Sequence, residues 1–322
     1  MVRFGIVGAG GIAKNFIHDI AYVENAELVA IAARTPEKAA AYKKEYHPEY
    51  VFSSYEEMAK SDVINAVYIA TPHSFHYEHA LMFIKEGKHV LIEKPITVNA
   101  KQLELLLAAA KKHKVLMMEA MWTSFLPATQ WVKTMINQNL LGKLKKVVIN
   151  FGFPLTINKK PTHRLLNPDL AGGGLLDMGV YPIHFYLSVS KSKIKSLNVK
   201  AQFTKTHVDG TGIIGIIDED QTEYILKYSI NKLIGNKVVL TFEYGEIIMK
   251  DFHSCQEVKL NGRSMPIPFE GEGFTHEIRS FTETILANKL NNPIVSLEDS
   301  KKSMLLLDRI RNEINLIYPF EK

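Results

Sequence analysis

A short apolar run, Val2-Arg-Phe-Gly-Ile-Val7, leads straight into Gly8-Ala-Gly10-Gly-Ile-Ala13, and a helical pattern follows to about Tyr22. A strand that turns through closely spaced glycines into a helix leaves few folds open. Gly8 permits the tight turn, Gly10 lets phosphates approach the backbone, and Ala13 lets helix and strand pack closely. The helix start offers unpaired N–H groups and the positive end of its dipole. The spacing is the G-x-G-x-x-A form of a dinucleotide-binding turn, in the strand–turn–helix setting that this reading requires. A tight turn with no ligand is the plainer alternative.

The alternation continues. Leu28–Ala33 reads as a buried strand, and Pro36 opens a charged helix to about Tyr46. Ala66–Ala70 is a strand, and His76–Glu86 is a helix with Gly87 placed as its cap. His89–Ile92 is a strand, Asn99–His113 a helix and Val115–Met118 a strand. This predicts βαβ units and a doubly wound parallel sheet, a Rossmann domain over residues 1–121. The character changes after Pro127, where a helix runs to about Asn139. Extended segments then follow at about 144–153, 194–204, 213–217, 222–230, 237–242, 246–252 and 257–260. Tyr244-Gly245 and Asn261-Gly262 supply turn residues. Strands in series predict an α+β domain over residues 122–322 with a mostly antiparallel sheet. Val147, Ile149 and Phe151 alternate with Val148, Asn150 and Gly152, so one face is apolar. Helices over about 274–289 and 297–316 close the chain, the second opened by Ser296-Leu-Glu-Asp299, spaced as a capping box.

The length of 322 residues favours two domains. The net charge of +5 is spread among both signs, which argues against nucleic acid and suits an anionic cofactor. Cys255 is the single cysteine, so no internal disulfide forms and a reducing compartment fits. The 12 histidines are scattered without a metal-binding motif, so no metal is expected. No apolar run reaches the roughly 18 residues of a membrane span. The apolar start carries one early Arg, but its glycines and the lack of a cleavage site speak against a signal peptide. The expected location is cytoplasmic, with no membrane partner.

The second strand ends in Ala33-Arg34-Thr35, with no acid until Glu37. An acid there would bind the ribose 2′-hydroxyl of NAD; Arg34 and Thr35 instead suit a 2′-phosphate, so NADP is expected over NAD. Arg34 as a solvated surface charge is the alternative. Ile92-Glu93-Lys94-Pro95 ends a parallel strand, where ligands of such sheets sit, and Pro95 restricts Lys94. An ammonium there can stabilise a developing alkoxide, or both charges are ordinary loop charges. Ala70-Thr71-Pro72-His73-Ser-Phe-His76 lies at the same edge. Its backbone can line a nicotinamide pocket, or its histidines do no more than start a helix. In Gly172-Gly-Gly174-Leu-Leu-Asp177-Met-Gly179-Val-Tyr181-Pro-Ile-His184, a helix from Leu175 puts Asp177 and Tyr181 four residues apart on one face. A carboxylate, a phenol and an imidazole there form a proton-handling cluster, or Tyr181 is a core aromatic and Asp177 a cap.

Gly8–Ala13, Thr71–His76, Glu93–Pro95 and Gly172–Tyr181 occur in the order and spacing of the glucose–fructose oxidoreductase / inositol dehydrogenase family, which the whole chain resembles. Glu119-Ala-Met-Trp122-Thr-Ser-Phe125-Leu-Pro127 and Ala32-Ala33-Arg34 are similar to its dimeric dihydrodiol dehydrogenase / D-xylose 1-dehydrogenase branch. Tyr181-Pro182 stands where many relatives carry histidine. The resemblance implies an open-faced antiparallel sheet and a homodimer or homotetramer built through it. It also implies oxidation of a secondary alcohol or sugar hydroxyl, or the reverse reduction. It makes Lys94 the catalytic lysine, Asp177 its acidic partner and Tyr181 the general acid/base. Trp122 and Phe153 become apolar walls for a small-molecule substrate, and Arg164 a substrate contact. The expected cofactor contacts are Gly8, Ala9, Gly10, Gly11, Ile12, Ala33, Arg34, Thr35, Ala70, Thr71, Pro72, His73, His76, Glu93, Lys94 and Pro95. The competing expectations are a reductase of a modified sugar or tetrapyrrole, and an NADP-binding regulator without catalysis.

Overall fold

The computed structural model describes residues 1–33 and 35–321. The chain divides into two compact units, Met1–Trp122 with Glu270–Met304, and Thr123–Phe269 with Leu305–Lys322. The sequence suggested a single cut after residue 121. Instead the segment from Glu270 to Met304 packs with the first unit.

In the first unit the strands and helices alternate as β1 (Val2–Val7), α1 (Gly11–Asp19), β2 (Ala26–Ala32), α2 (Pro36–Tyr46), β3 (Tyr50–Phe52), α3 (Tyr55–Lys60), β4 (Ala66–Ile69), α4 (His76–Lys85), β5 (His89–Glu93), α5 (Ala100–His113) and β6 (Met117–Ala120). The six strands are parallel in the order β3-β2-β1-β4-β5-β6. β4, β5 and β6 are almost wholly buried, as expected of a sheet covered on both faces, and this explains why they are mostly apolar. The order reverses at β1, which pairs with both β2 and β4. That reversal opens a crevice at the carboxyl ends of the strands, where Gly8 and Thr71 lie. β3 and α3 were not anticipated, because three residues of strand and six of helix carry too little periodicity to read.

The second unit contains α6 (Pro127–Asn137), β7 (Leu144–Gly152), α7 (Val180–Val189), β8 (Ile194–Phe203), β9 (Asp209–Asp218), β10 (Glu223–Ser229), β11 (Gly235–Phe242), β12 (Glu246–Lys250), β13 (Glu257–Leu260) and β14 (Arg263–Pro266). They form one eight-stranded sheet, β14-β13-β12-β11-β7-β10-β9-β8, antiparallel except for β7 against β10. Val147, Ile149 and Phe151 are buried, as their alternation required, and α7 covers that face. β14 escaped notice, although its turn did not. Asn261 and Gly262, at φ 50° and 81°, form the two-residue link from β13 to β14.

α8 (Thr275–Leu286) returns to the first unit and packs on α1, β1 and β2, with Phe281 against Phe4. α9 (Leu297–Glu313) opens with the expected capping box: Asp299 N–H donates to Ser296 Oγ at 3.1 Å and Ser296 N–H to Asp299 Oδ2 at 3.0 Å. Among the described residues no helix is long and apolar enough to cross a membrane.

Candidate active site

The first group of candidate residues is built on the crevice edge of the parallel sheet. β1 stops at Gly8, whose φ of +82° favours glycine, and a Cβ there would lie 2.7 Å from Thr71 N. Gly10 N–H closes the turn on Gly8 O at 2.7 Å. Gly11 begins α1, and a Cβ there would meet nothing within 4 Å. The α1 N-terminus carries no side-chain cap. Together these features leave an uncapped helix start facing an open cradle, which fits a pyrophosphate. A cavity of about 220 Å³ adjoins it, lined by Gly8, Ala9, Gly10, Ala33, Ala70, Thr71 and Pro72 of the expected contacts. It is also lined by Lys38, Tyr42 and Tyr55, which sequence reasoning missed.

The Glu-Lys-Pro turn follows β5 on the same edge. Tyr68 donates its hydroxyl to Glu93 Oε1 at 2.5 Å, and Lys94 N–H donates to Glu93 Oε2 at 3.2 Å. Burial pushes the Glu93 carboxyl up; the Tyr68 hydroxyl and the Lys94 charge and N–H oppose it. The Lys94–Pro95 peptide is cis. One residue on, Ile96 N–H donates to buried Glu119 Oε1 at 3.0 Å, and Ser300 Oγ donates to Glu119 Oε2 at 2.8 Å. The half-buried Lys94 therefore stands on a backbone held by two buried carboxyls. His76 lies with Nδ1 2.9 Å from Pro95 O and Nε2 2.8 Å from Thr71 O, so one ring links the two loops. Burial holds its pKa down at about 4, against the pull of both carbonyls.

A second group of candidate residues lies in the glycine segment of the second unit. A π-helical turn over Leu175–Gly179 runs directly into α7, so Asp177 lies in the wide turn and Tyr181 in the ordinary helix. π-turns of this kind recur at functional sites. Asp177 is buried and accepts from Arg164 Nη1 at 2.9 Å. The Tyr181 ring is buried edge-on against Phe151 at 5.3 Å and His253 at 4.9 Å. Phe153 meets Phe151 edge-on at 5.8 Å and is half-buried. Behind the glycines, Leu175 N–H donates to Asp209 Oδ2 at 2.6 Å. Burial pushes the Asp209 carboxyl up to about 7, while the Tyr228 hydroxyl and the Leu175 and Gly174 N–H groups pull the other way.

Two family models match the chain. One, described as an oxidoreductase family with an NAD-binding Rossmann fold, matches residues 2–121; the other, the GFO/IDH/MocA C-terminal domain, matches residues 129–244. The chain belongs to the GFO/IDH/MocA oxidoreductase family. Its curated relatives include scyllo-inositol 2-dehydrogenase (NADP(+)) IolU of Bacillus subtilis (strain 168), 29% identical over 331 residues and covering 100% of both chains. Trans-1,2-dihydrobenzene-1,2-diol dehydrogenase of Xenopus laevis is also 29% identical, covering 98% of this chain and 99% of the relative. The aldose-aldose oxidoreductase of Caulobacter crescentus superposes with a TM-score of 0.87 at 22% identity, over 98% of this chain and 97% of that one. KijD10, a 3-ketoreductase from Actinomadura kijaniata, superposes at 0.85 with 23% identity over 97% of each chain. The GFO/IDH/MocA chain is thus an NAD(P)-binding oxidoreductase with the family's two-part fold.

Within this GFO/IDH/MocA protein the expected residues fare unevenly. Arg34 lies outside the described residues. Thr35 accepts from Lys38 N at 3.4 Å and turns its hydroxyl to Glu37, so it caps α2. The Asp177 partner seen within its unit is Arg164, which the sequence had assigned to substrate. Trp122 is only 3% exposed and stacks on Phe274 at 5.0 Å, which makes it a packing residue in its own unit. Ile12 is exposed, and His73 and His184 are buried. His253 sits far along the chain from Tyr181, and no spacing signal announced it. Among the described residues no cluster of three metal-binding side chains occurs.

Proposed function

We propose that this protein is an NADP(H)-dependent dehydrogenase acting on a secondary alcohol of a sugar, cyclitol or diol, and on the carbonyl in reverse. The observation that carries the reading is the Glu93–Lys94 turn. It follows β5 on the same sheet edge as Gly8 and Thr71, with its main chain fixed by buried carboxyls. The names of the similar proteins, a scyllo-inositol dehydrogenase and dihydrodiol dehydrogenases, support the substrate class. For NADP over NAD, the support is Lys38 in the cavity beside Ala33, the lack of an acid directly after β2, and the NADP(+) in the name of IolU.

The nicotinamide supplies the hydride chemistry when bound. The chain supplies the rest. In oxidation Tyr181 Oη takes the hydroxyl proton, and it returns that proton in reduction. The Lys94 ammonium steadies the negative charge that develops on the same oxygen. Asp177 places a buried negative charge in the turn before Tyr181, and Arg164, with half its side chain exposed, fixes that carboxylate. Exposed Phe203, Ile213 and Ile217 on β8 and β9 support assembly of two or four copies through the sheet.

The test is NADP+ reduction over a panel of scyllo-inositol, trans-1,2-diols and aldoses. Lys94→Ala and Tyr181→Phe are each expected to lose at least about 100-fold in kcat while still binding NADPH, the scale of acid–base and electrostatic groups. Near-normal turnover by either variant refutes its assignment.

A further inference from the structure

The carboxyl of Asp209 opens β9, and no step of the proposed chemistry uses it. It is fully buried, and it lies directly under the glycine loop. Gly173 has φ +126°, and a Cβ built on it would fall 2.2 Å from Asp209 Oδ1, so the carboxyl fills the space of a side chain. Asp209 Oδ2 accepts the N–H of Leu175, the first residue of the π-helical turn, at 2.6 Å. A helix start leaves its first N–H groups unpaired, and an acceptor there is usually the residue just before it. Here the local cap position is Gly174, which has no side chain, and the acceptor comes from 34 residues away. Oδ1 has no hydrogen bond among the described residues, and neither has the Tyr228 hydroxyl.

Two further contacts hold the same loop. The Tyr318 hydroxyl donates to Gly172 O at 2.9 Å. The Tyr228 ring is the floor for Gly174 and Gly179, where added Cβ atoms would fall 3.0 and 3.1 Å from it. Tyr318 is in turn fixed by Glu321, which accepts Tyr318 N–H at 3.1 Å and pairs with Arg311 at 2.8 Å.

We propose that Asp209 is a positioning residue: it sets the pose of the helical turn that carries Asp177 and, six residues from its start, Tyr181, with Tyr318 as a second brace on Gly172. The inference rests on the proposed role of Tyr181 as proton carrier. Misplacement of a reacting group by about an ångström can cost on the order of 100-fold in rate. Asparagine keeps the acceptor oxygen for Leu175 N–H, whereas alanine removes it.

The experiment compares Asp209→Ala, Asp209→Asn, Tyr318→Phe and Tyr181→Phe with the wild-type protein. The readouts are kcat and both KM values in NADP+-linked oxidation of scyllo-inositol, or of the panel alcohol oxidised fastest, together with amide exchange at Leu175–Gly179. Asp209→Ala is expected to lose about 10- to 100-fold in kcat, with the KM for NADP+ unchanged and faster exchange at Leu175. Asp209→Asn should recover most of both, and Tyr318→Phe should show a smaller loss of kcat of the same kind. A folded Asp209→Ala with wild-type kcat overturns the proposal. If Asp209→Ala does not fold, an Asp209→Asn with slow turnover and a protected Leu175 amide, or a Tyr318→Phe with unchanged kcat, overturns it instead. Full turnover by Tyr181→Phe removes the proton role itself. An inactive Tyr181→Phe beside a fully active Asp209→Ala removes only the positioning role.

Discussion

Glu277, on α8, is fully buried, and neither of its carboxylate oxygens has a hydrogen-bond partner among the described residues. Burial raises its pKa well above the ordinary glutamate value, and the nearby Glu93 and Asp19 charges raise it further. An acid whose folded pKa is raised binds a proton in the folded state after the unfolded chain has released it. Its penalty is absent below the ordinary pKa of about 4.3 and grows as pH rises through the window up to the folded value, by up to about 1.4 kcal/mol per pH unit. Glu277→Gln cannot ionise, so its melting temperature relative to wild type should climb steadily from pH 5 to pH 8. A constant difference across that range would show that Glu277 ionises freely. Single residues were legible in the sequence where local chemistry dictated them. The positions of Gly8 and Lys94 just after β1 and β5 were expected because a turn and a strand end place them there. Asp209 and His253 were not, because their partners lie far along the chain and spacing carries no trace of such pairs.

Asp19 shows how one element is tied to another. Its carboxylate is fully buried at the end of α1 and accepts N–H groups from Glu272 at 2.8 Å, Phe274 at 2.8 Å and Thr275 at 3.0 Å. It caps the start of α8 from more than 250 residues away in sequence. Gly271 permits the approach, since a Cβ there would fall 2.4 Å from Asp19 Oδ1. Burial alone would raise the Asp19 carboxyl, but the N–H groups of Glu272 and Thr275 and the His18 ring together hold it below the ordinary value. A lowered acid adds stability above its unfolded pKa of about 3.9 and loses it as pH falls through the folded value. Asp19→Ala should therefore cost about 2 kcal/mol at pH 7, on the scale of a lost helix cap, and less below pH 3 when followed by urea unfolding. An equal cost at both pH values would mean that the charge is irrelevant. Long periodic helices and the apolar strands were located in the right places, α2 to the residue, but β9 runs Asp209–Asp218 where only 213–217 was expected, and α8 and α9 each end three residues sooner than expected. β6 was placed two residues early, since Val115 and Leu116 are apolar too but precede the pairing of Met117 with Val90.

At the scale of the molecule, alternation of strand and helix predicted the parallel sheet, and strands in series predicted the antiparallel one. The return of Glu270–Met304 to the first unit was not legible. A helix that packs on a distant sheet carries the same apolar stripe as one that packs nearby. The residues offered to the cofactor all belong to the first unit, so its binding can be tested apart from turnover. The central claim is that the Gly8–Gly11 turn and Lys38 serve a pyridine dinucleotide that carries a 2′-phosphate. The direct measurement is calorimetric titration of the purified full chain with NADPH and with NADH. The account predicts one NADPH per chain, bound at least about tenfold tighter than NADH, a difference of about 1.4 kcal/mol. Heat from neither nucleotide, or tighter binding of NADH, would contradict it.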